Sequence, residues 1–198
     1  MTDQDPIDRI VEQWRTERPD LDAAALDAMA TFGRLGRIAG VAAPLVERTF
    51  TRFGLSTGDF DVLAALRRSG SPFTLTPTVL ARTLMLSPAA MTNRLDRLEA
   101  AGHVGRRLDP ENRRSMLVTL TAAGRRTVDE VVVEHVDNER ELLSLLSAAD
   151  RRRLDDLLRR LLGGLEDAGG RAVAPVDPGR ANRGRRRLSP ADTVGPAH

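Results

Sequence analysis

The sequence contains no cysteine, no lysine and no tyrosine, and aromatic residues make up only 3% of it. Without cysteine, the chain can form no disulfide, no thiolate zinc site and no iron–sulfur ligation. Its three histidines, His103, His135 and His198, are scattered along the chain. No glycine-rich phosphate loop, metal-ligand cluster or nucleophile with a nearby base accompanies them. We therefore expect neither an enzyme nor a metal site nor a bound cofactor.

Long apolar runs are also missing, so no segment is suited to cross a membrane. Residues Met1 to Pro6 include two aspartates and lack the basic, apolar pattern of an export signal. We expect a cytoplasmic protein without a membrane partner.

All 30 basic residues are arginine, and the formal net charge is only +2. These arginines are unevenly distributed: residues 82–126 hold nine against four acids, and residues 171–198 hold six against two. The rest of the chain is acidic. Two positive segments on an acidic body indicate a polyanionic partner.

The N-terminal part is expected to be helical. Asp5 and Pro6 are suited to the N-cap and first position of a helix, with Trp14 on its later turns. Apolar spacing from Asp22 to about Phe53 predicts one or two longer helices. Pro44 lies inside this stretch, so we expect a kink or a break there.

Two short helices with a tight turn between them follow, and this pattern is typical of a helix-turn-helix motif. Thr76 and Pro77 begin the first, and Ser87 and Pro88 begin the second, which ends at Gly102. In the second helix the buried face is predicted to carry Met91, Leu95 and Leu98. The remaining face would show Ala89, Ala90, Thr92, Asn93, Arg94 and Arg97. Small residues beside Asn and Arg are typical of a major-groove reader, although a solvated helix face can look similar.

A β-hairpin with arginines at its tip comes directly after this helix, as in a wing. One strand starts at Val104 and the other spans Ser115 to Leu120, with Asp109 to Asn112 forming the turn. We expect Asn93 and Arg94 to contact bases, and Thr92 and Arg97 to contact phosphates or the groove edge. In the wing, Arg113 would enter the minor groove with Asp109 as its positioner, and Arg107 and Arg114 would contact phosphates. The alternative is an exposed, charge-balanced turn.

Two leucine-rich helices capped by Thr121 and Ser147 follow, and their apolar stripes are wide enough to pair with a second subunit. The predicted fold is mainly α with a small β-hairpin wing, a winged helix-turn-helix flanked by N- and C-terminal dimerisation helices. The segments expected are N-terminal helices for dimerisation and a ligand pocket (1–54), a DNA-binding domain (55–120), C-terminal dimerisation helices (121–168) and a disordered basic tail (169–198).

Four strings, Leu75 to Leu84, Ser87 to Gly102, Arg106 to Arg114 and Val118 to Gly124, resemble the MarR family of bacterial transcriptional regulators. The resemblance covers roughly residues 7 to 166. It implies a homodimeric winged-helix protein that represses transcription at a palindromic operator on double-stranded DNA until a small ligand releases it. Pro44 and the long tail depart from the usual pattern.

Within that family the sequence is most similar to the urate-responsive subgroup. The resemblance places Trp14, Asp61, Arg94 and Arg106 at the ligand-binding positions of that subgroup, which implies urate or a similar aromatic anion as the effector. Each residue also has a simpler role, because Trp14 can pack in a dimer core and both arginines can bind DNA. A second functional hypothesis is an architectural protein that binds DNA without sequence preference and without a ligand.

Overall fold

The computed structural model describes residues 4–112 and 115–172, and only the backbone of residues 170–172. The elements in chain order are α1 (Pro6–Glu17), α2 (Ala23–Thr51), α3 (Thr57–Arg68), β1 (Thr74–Leu75), α4 (Pro77–Thr83), α5 (Pro88–Ala100), β2 (Val104–Leu108), β3 (Met116–Leu120), α6 (Ala122–Leu142) and α7 (Ala148–Ala172). They divide into two compact units, one up to Leu145 and one from Leu146 onward. The mainly helical fold with a small sheet confirms the predicted fold class.

The helices begin where short polar side chains can accept hydrogen bonds from the free N–H groups of the first turn. Asp5, Asp22, Ser56, Thr76 and Ser87 each cap the helix that follows, as does Thr121. In α1 and α3 the capping is reciprocal, because an Asp at the third position accepts the backbone N–H of the cap residue. The predicted helix starts are therefore confirmed.

Of the kink or break expected at Pro44, the break is wrong, since α2 is one continuous helix of 29 residues. Pro44 removes one backbone donor and crowds the carbonyl of Gly40. Both residues are exposed, so water can satisfy that carbonyl. The helix is buried on either side of this point, at Leu26 and at Phe50. Packing at both ends therefore outweighs the local cost of the proline.

The main core lies between α3, α4, α5, the sheet and α6. It contains the fully buried Leu63, Leu66, Leu80, Leu95 and Val118. Its antiparallel sheet has the order β1-β3-β2. The two-residue strand β1 was not expected, because no periodicity can be seen over two residues.

Helix α6 belongs to this same core in its first half, through Val128 and Val131. The prediction that the C-terminal helices only flank the winged region is wrong for this half of α6. Val128 and Val131 also fit a dimer-facing stripe, so their spacing alone does not distinguish the two arrangements. The second half of α6 exposes Val132, Val133 and Val136.

A smaller core joins α1 to the first half of α2, and it contains Ile7, Val11 and Leu26. Arg34 of α2 binds both acids of the α1 cap: its Nε lies 2.7 Å from Asp5, and its Nη2 contacts Asp8. Hydrogen bonding to Arg34 lowers the pKa of Asp5. Apolar packing and ion pairs thus hold α1 to α2.

The second unit is described by α7 alone. Ser147 caps its first turn, accepting the N–H of Asp150 at 3.2 Å. The helix continues to Ala172, so the tail does not begin at Gly169 as expected. Helix propagation adds one hydrogen bond for each residue that is fixed, which offsets the low helix propensity of glycine. The rest of the predicted tail, residues 173–198, lies outside the described residues.

Within the described residues, no helix is long and apolar enough to cross a membrane. They also include no group of three or more acidic, histidine or cysteine side chains that could hold a metal ion.

Candidate nucleic-acid interface

Helix α5 packs through the three residues predicted for its buried face. Met91, Leu95 and Leu98 are each at most 2% exposed. The turn before it places Met85 at a φ of 51°, and Gly102 at a φ of 74° ends it. The helix is thus held on one side by the core and presents its other side to solvent.

The solvent side of α5 begins with small residues and continues with Thr92 and Asn93. Both of these side chains are exposed. The Thr92 hydroxyl donates to the carbonyl of Pro88 at 3.0 Å, which fixes its rotamer. The Asn93 amide offers one acceptor and two donors, the set that pairs with the edge of adenine.

Arg94 does not lie on that exposed side as expected. Its Nη1 donates to the carbonyl of Gly58 in α3 at 3.4 Å, and the side chain is partly buried. A Cβ at position 58 would overlap the guanidinium, so glycine allows this approach. Position 94 is adjacent to buried Leu95, at the margin of the buried stripe, where a long side chain can turn inward.

Arg97 is exposed but already has an anionic partner. Its Nη2 lies 2.9 Å from Oδ1 of Asp59, and its Nη1 donates to the carbonyl of Asn93 at 3.3 Å. Asp59 is only 8% exposed and also completes the α3 capping box with Ser56. One carboxylate therefore connects the start of α3 to α5.

The wing pairs β2 with β3 in an antiparallel register that joins Leu108 to Met116 at its outer end. Arg106 fixes the wing to α5. It donates to Glu99 through its backbone N–H at 3.1 Å and its Nε at 2.8 Å, and its Nη1 lies 2.7 Å from Asp96. These bonds lower the pKa of Glu99 and raise that of Arg106. We call Arg106, Asp96 and Glu99 the wing clamp.

The remaining wing residues are only partly described. Arg107 is exposed on the face opposite Arg106. Asp109 accepts the backbone N–H of Glu111 at 3.0 Å, which stabilises the start of the turn. Arg113 and Arg114 lie outside the described residues, and so does the predicted contact between Asp109 and Arg113.

The predicted ligand residues are not all brought together. Asp61 lies near Arg94, Arg68 and His135, and burial raises its pKa, while the charges of these three groups oppose the rise. No contact of the described residues joins Trp14 to this group. Trp14 is 43% exposed on α1, and Arg106 belongs to the wing clamp instead.

An aromatic cluster beside Asp61 was missed from the sequence. The rings of Phe50 and Phe60 stack at 4.5 Å, and the imidazole of His135 lies 5.0 and 5.1 Å from them. The Nδ1 atom of His135 is buried without a hydrogen-bond partner. The three residues come from α2, α3 and α6, so no local spacing could have indicated the cluster.

The wing clamp and the Asp59 contact were missed as well. Asp96 and Glu99 are three residues apart on α5, on the side next to β2, and only the hairpin after Gly102 brings Arg106 back to them. The presence of these two acids beside a basic recognition surface was a usable signal for ion pairs there. The net charge of the segment hides this signal, because its nine arginines outnumber its four acids.

Comparison with known proteins identifies a family for this architecture. A family model described as MarR family matches residues 53–115. The transcriptional regulator PecS of Dickeya dadantii is 39% identical over 132 residues, which is 67% of this chain and 78% of PecS.

Two solved structures with the same fold concern the binding of DNA and its regulation by a small molecule. A Cys-to-Ser mutant of MarR from E. coli, complexed with operator DNA, is 27% identical with a TM-score of 0.61, covering 72% of this chain and 99% of that one. BpsR of Bordetella bronchiseptica, whose DNA binding is regulated by 6-hydroxynicotinic acid, is 28% identical with a TM-score of 0.58, covering 65% and 91%.

Proposed function

The chain belongs to the MarR family of transcriptional regulators, and we propose that it is a homodimeric repressor that binds a palindromic operator and is released by a small planar aromatic anion. The relatives matched are regulators, not enzymes. Urate is the first anion to test.

The observation that carries DNA binding is the pairing of an exposed Asn93 face with a wing clamped beside it. A helix with a small-residue N-terminal half can enter the major groove, and an adjoining hairpin then meets the next groove. Arg107 supplies a positive charge on the wing. The operator complex of MarR supports the same use of this fold.

Exposed apolar side chains support a homodimer. Trp14, Phe32, Ile38, Val41 and Val136 are each more than 40% exposed in the first unit. The α7 helix exposes a further leucine series, Leu154, Leu157, Leu158, Leu162 and Leu165. Groups of exposed apolar side chains like these favour association, and a twofold dimer matches a palindromic site. Light scattering on the full chain should give twice the mass of 21.6 kDa.

The effector proposal rests on Asp61 and Arg94. Arg94 is on α5 and contacts α3 at Gly58, so an anion that binds its guanidinium changes how α5 lies on α3. BpsR, whose DNA binding responds to an aromatic acid, supports this class of effector.

Protonation of Asp61 is part of this proposal. A carboxylate would repel an anion, whereas a carboxylic acid can donate a hydrogen bond to it. Because burial raises the pKa of Asp61, the acid form persists to higher pH than for a free aspartate. Affinity for an anion that stays charged should therefore increase as the pH falls, and Asp61→Asn should remove that dependence.

The DNA proposal is tested with duplexes of about 30 base pairs, long enough for two half-sites, selected by the protein from a random pool. The wild type should prefer a selected duplex over a random one by at least about 1,000-fold. Asn93→Ala should lose about 1–3 kcal/mol of this preference, whereas Gln13→Ala, an amide on exposed α1, should not. Equal binding of both duplexes would instead favour the architectural protein.

The effector proposal is tested by adding urate, salicylate or xanthine to the complex with the selected duplex. Urate should raise the melting temperature of the free protein and release DNA. Arg94→Ala should weaken both effects, whereas Asp61→Asn should keep them and remove their dependence on pH. A wild-type response of Arg94→Ala, or an unchanged pH dependence in Asp61→Asn, would contradict the assigned site.

A further inference from the structure

The face of the wing that packs on the main core, called here its inner face, changes from buried to exposed along its length. Cross-strand partners share a face, and every second residue returns to it. Val104, Arg106 and Leu108 of β2 therefore share one face with Val118 and Met116 of β3. Val104 and Val118 are at most 2% exposed, but Leu108 is 58% and Met116 38% exposed.

Leu108 and Met116 thus form an apolar pair at the outer end of the core-facing side of the wing, with no core beneath it. Two large apolar side chains in direct register on a charged hairpin are unfavourable in water. A strand position facing solvent is ordinarily occupied by a polar residue. The pair is suited to a surface that covers it when a partner binds.

The wing clamp determines which way this apolar pair faces, and therefore which partner surface can cover it. Arg106 holds β2 against Asp96 and Glu99 of α5, and Leu108 follows two residues later, about 7 Å further along the strand. The apolar pair therefore continues outward from the point where the wing meets α5. It lies on the same face of the wing as Arg106, the face that contacts α5.

When a helix occupies the major groove and a hairpin reaches the neighbouring minor groove, one sugar-phosphate strand passes between them. The phosphates of that strand face outward, and its deoxyribose rings present C–H groups to the minor groove. Apolar side chains can pack against these C–H groups, because the contact removes apolar surface from water.

We propose that Leu108 and Met116 form a deoxyribose-contacting surface on the inner face of the wing, which packs against the DNA strand passing between wing and recognition helix. The proposal rests on the DNA-binding function proposed above. It adds an apolar contact whose strength does not depend on salt concentration. The arginine contacts to phosphate, in contrast, weaken as salt increases. The wing clamp directs this surface toward the duplex.

The test uses the full chain and a duplex of about 30 base pairs selected from a random pool by the wild type. Leu108→Ala plus Met116→Ala should weaken binding about tenfold at every salt concentration, leaving the slope of log K against log salt unchanged. Arg107→Ala, on the opposite face of the same strand, is the matched control and should reduce that slope by about one for each protomer that contacts a phosphate.

Hydroxyl-radical footprinting reads the sugars directly, because the radical attacks deoxyribose. The double alanine variant should lose protection at the minor-groove sugars flanking each half-site and keep the remaining protection. The volume-conserving exchange Leu108→Met plus Met116→Leu should retain both affinity and footprint, and unchanged melting temperatures show that the variants fold.

Wild-type affinity and an intact footprint in the double alanine variant would overturn the inference while the DNA-binding proposal stands. The inference would also be overturned if the double alanine variant differed from the wild type in oligomeric mass but not in DNA affinity. The pair would then be a contact between protein chains. Failure of the wild type to prefer any selected duplex would overturn the DNA-binding proposal itself.

Discussion

Replacement of Asp59 by alanine should remove two contributions to stability at once. Asp59 caps α3, and it connects α3 to α5 through Arg97. The carboxylate accepts hydrogen bonds from the backbone N–H and the hydroxyl of Ser56, and it pairs with Arg97. The first two contacts cap α3. The third connects α3 to the helix that carries the proposed base contacts.

The magnitude follows from these contacts. Loss of helix capping costs about 1 kcal/mol. The pair with Arg97 adds about 0.5–1 kcal/mol, the upper part of the range of about 0.2–1 kcal/mol for a solvated ion pair, because the side chain of Arg97 is 57% exposed but that of Asp59 only 11%. The free energy of unfolding should fall by about 1.5–2 kcal/mol, or about 3–8 °C in melting temperature for a chain of this size.

A double-mutant cycle measured by urea unfolding checks the assignment. The cycle combines Asp59→Ala with Arg97→Ala and should give a coupling energy of about 0.5–1 kcal/mol. Asp59→Asn keeps an acceptor for Ser56 and should recover part of the capping energy. Strictly additive effects of the two alanine substitutions would refute the connection, and an unchanged midpoint in Asp59→Ala would refute the capping role.

Three further changes have defined outcomes. Gly58→Ala should displace the flexible end of Arg94, leave the melting temperature within a few degrees and weaken urate binding measured by calorimetry; unchanged urate affinity would contradict the proposed contact. Pro44→Ala should stabilise the protein by about 1–3 kcal/mol in urea unfolding, because an exposed helix position regains its hydrogen bond, and a lower midpoint would contradict that reasoning. Gly124→Ala should sharply lower the melting temperature, because its Cβ would overlap the backbone carbonyl of His103, and a wild-type melting curve would show that the contact can relax.

The helices of the winged region could be predicted because local chemistry determines them. Ser87 and Pro88 mark the start of α5 and Gly102 marks its end, without reference to the rest of the chain. The spacing of Met91, Leu95 and Leu98 likewise determines which side of α5 is buried, wherever that helix packs. The same kind of local signal predicted a break at Pro44 that does not occur, because packing at distant positions decides whether a helix continues.

The directions of the arginines could not be predicted in this way. Arg94 lies against α3 because Gly58 leaves room for it, and Arg106 binds α5 because the hairpin brings it there. Both depend on residues far away in the chain or on the other side of a turn. The cluster of Phe50, Phe60 and His135 has the same origin in tertiary structure.

The unbroken helix α2 connects the two cores of the first unit. Its 29 residues span about 43 Å at 1.5 Å per residue, with the α1 contacts at one end and Phe50 in the main core at the other. A rotation of about 5° around one end would move the other by about 4 Å over this length. A rotation of α2 about the α1 contacts would therefore displace the ring stack next to Asp61 more than the residues at α1.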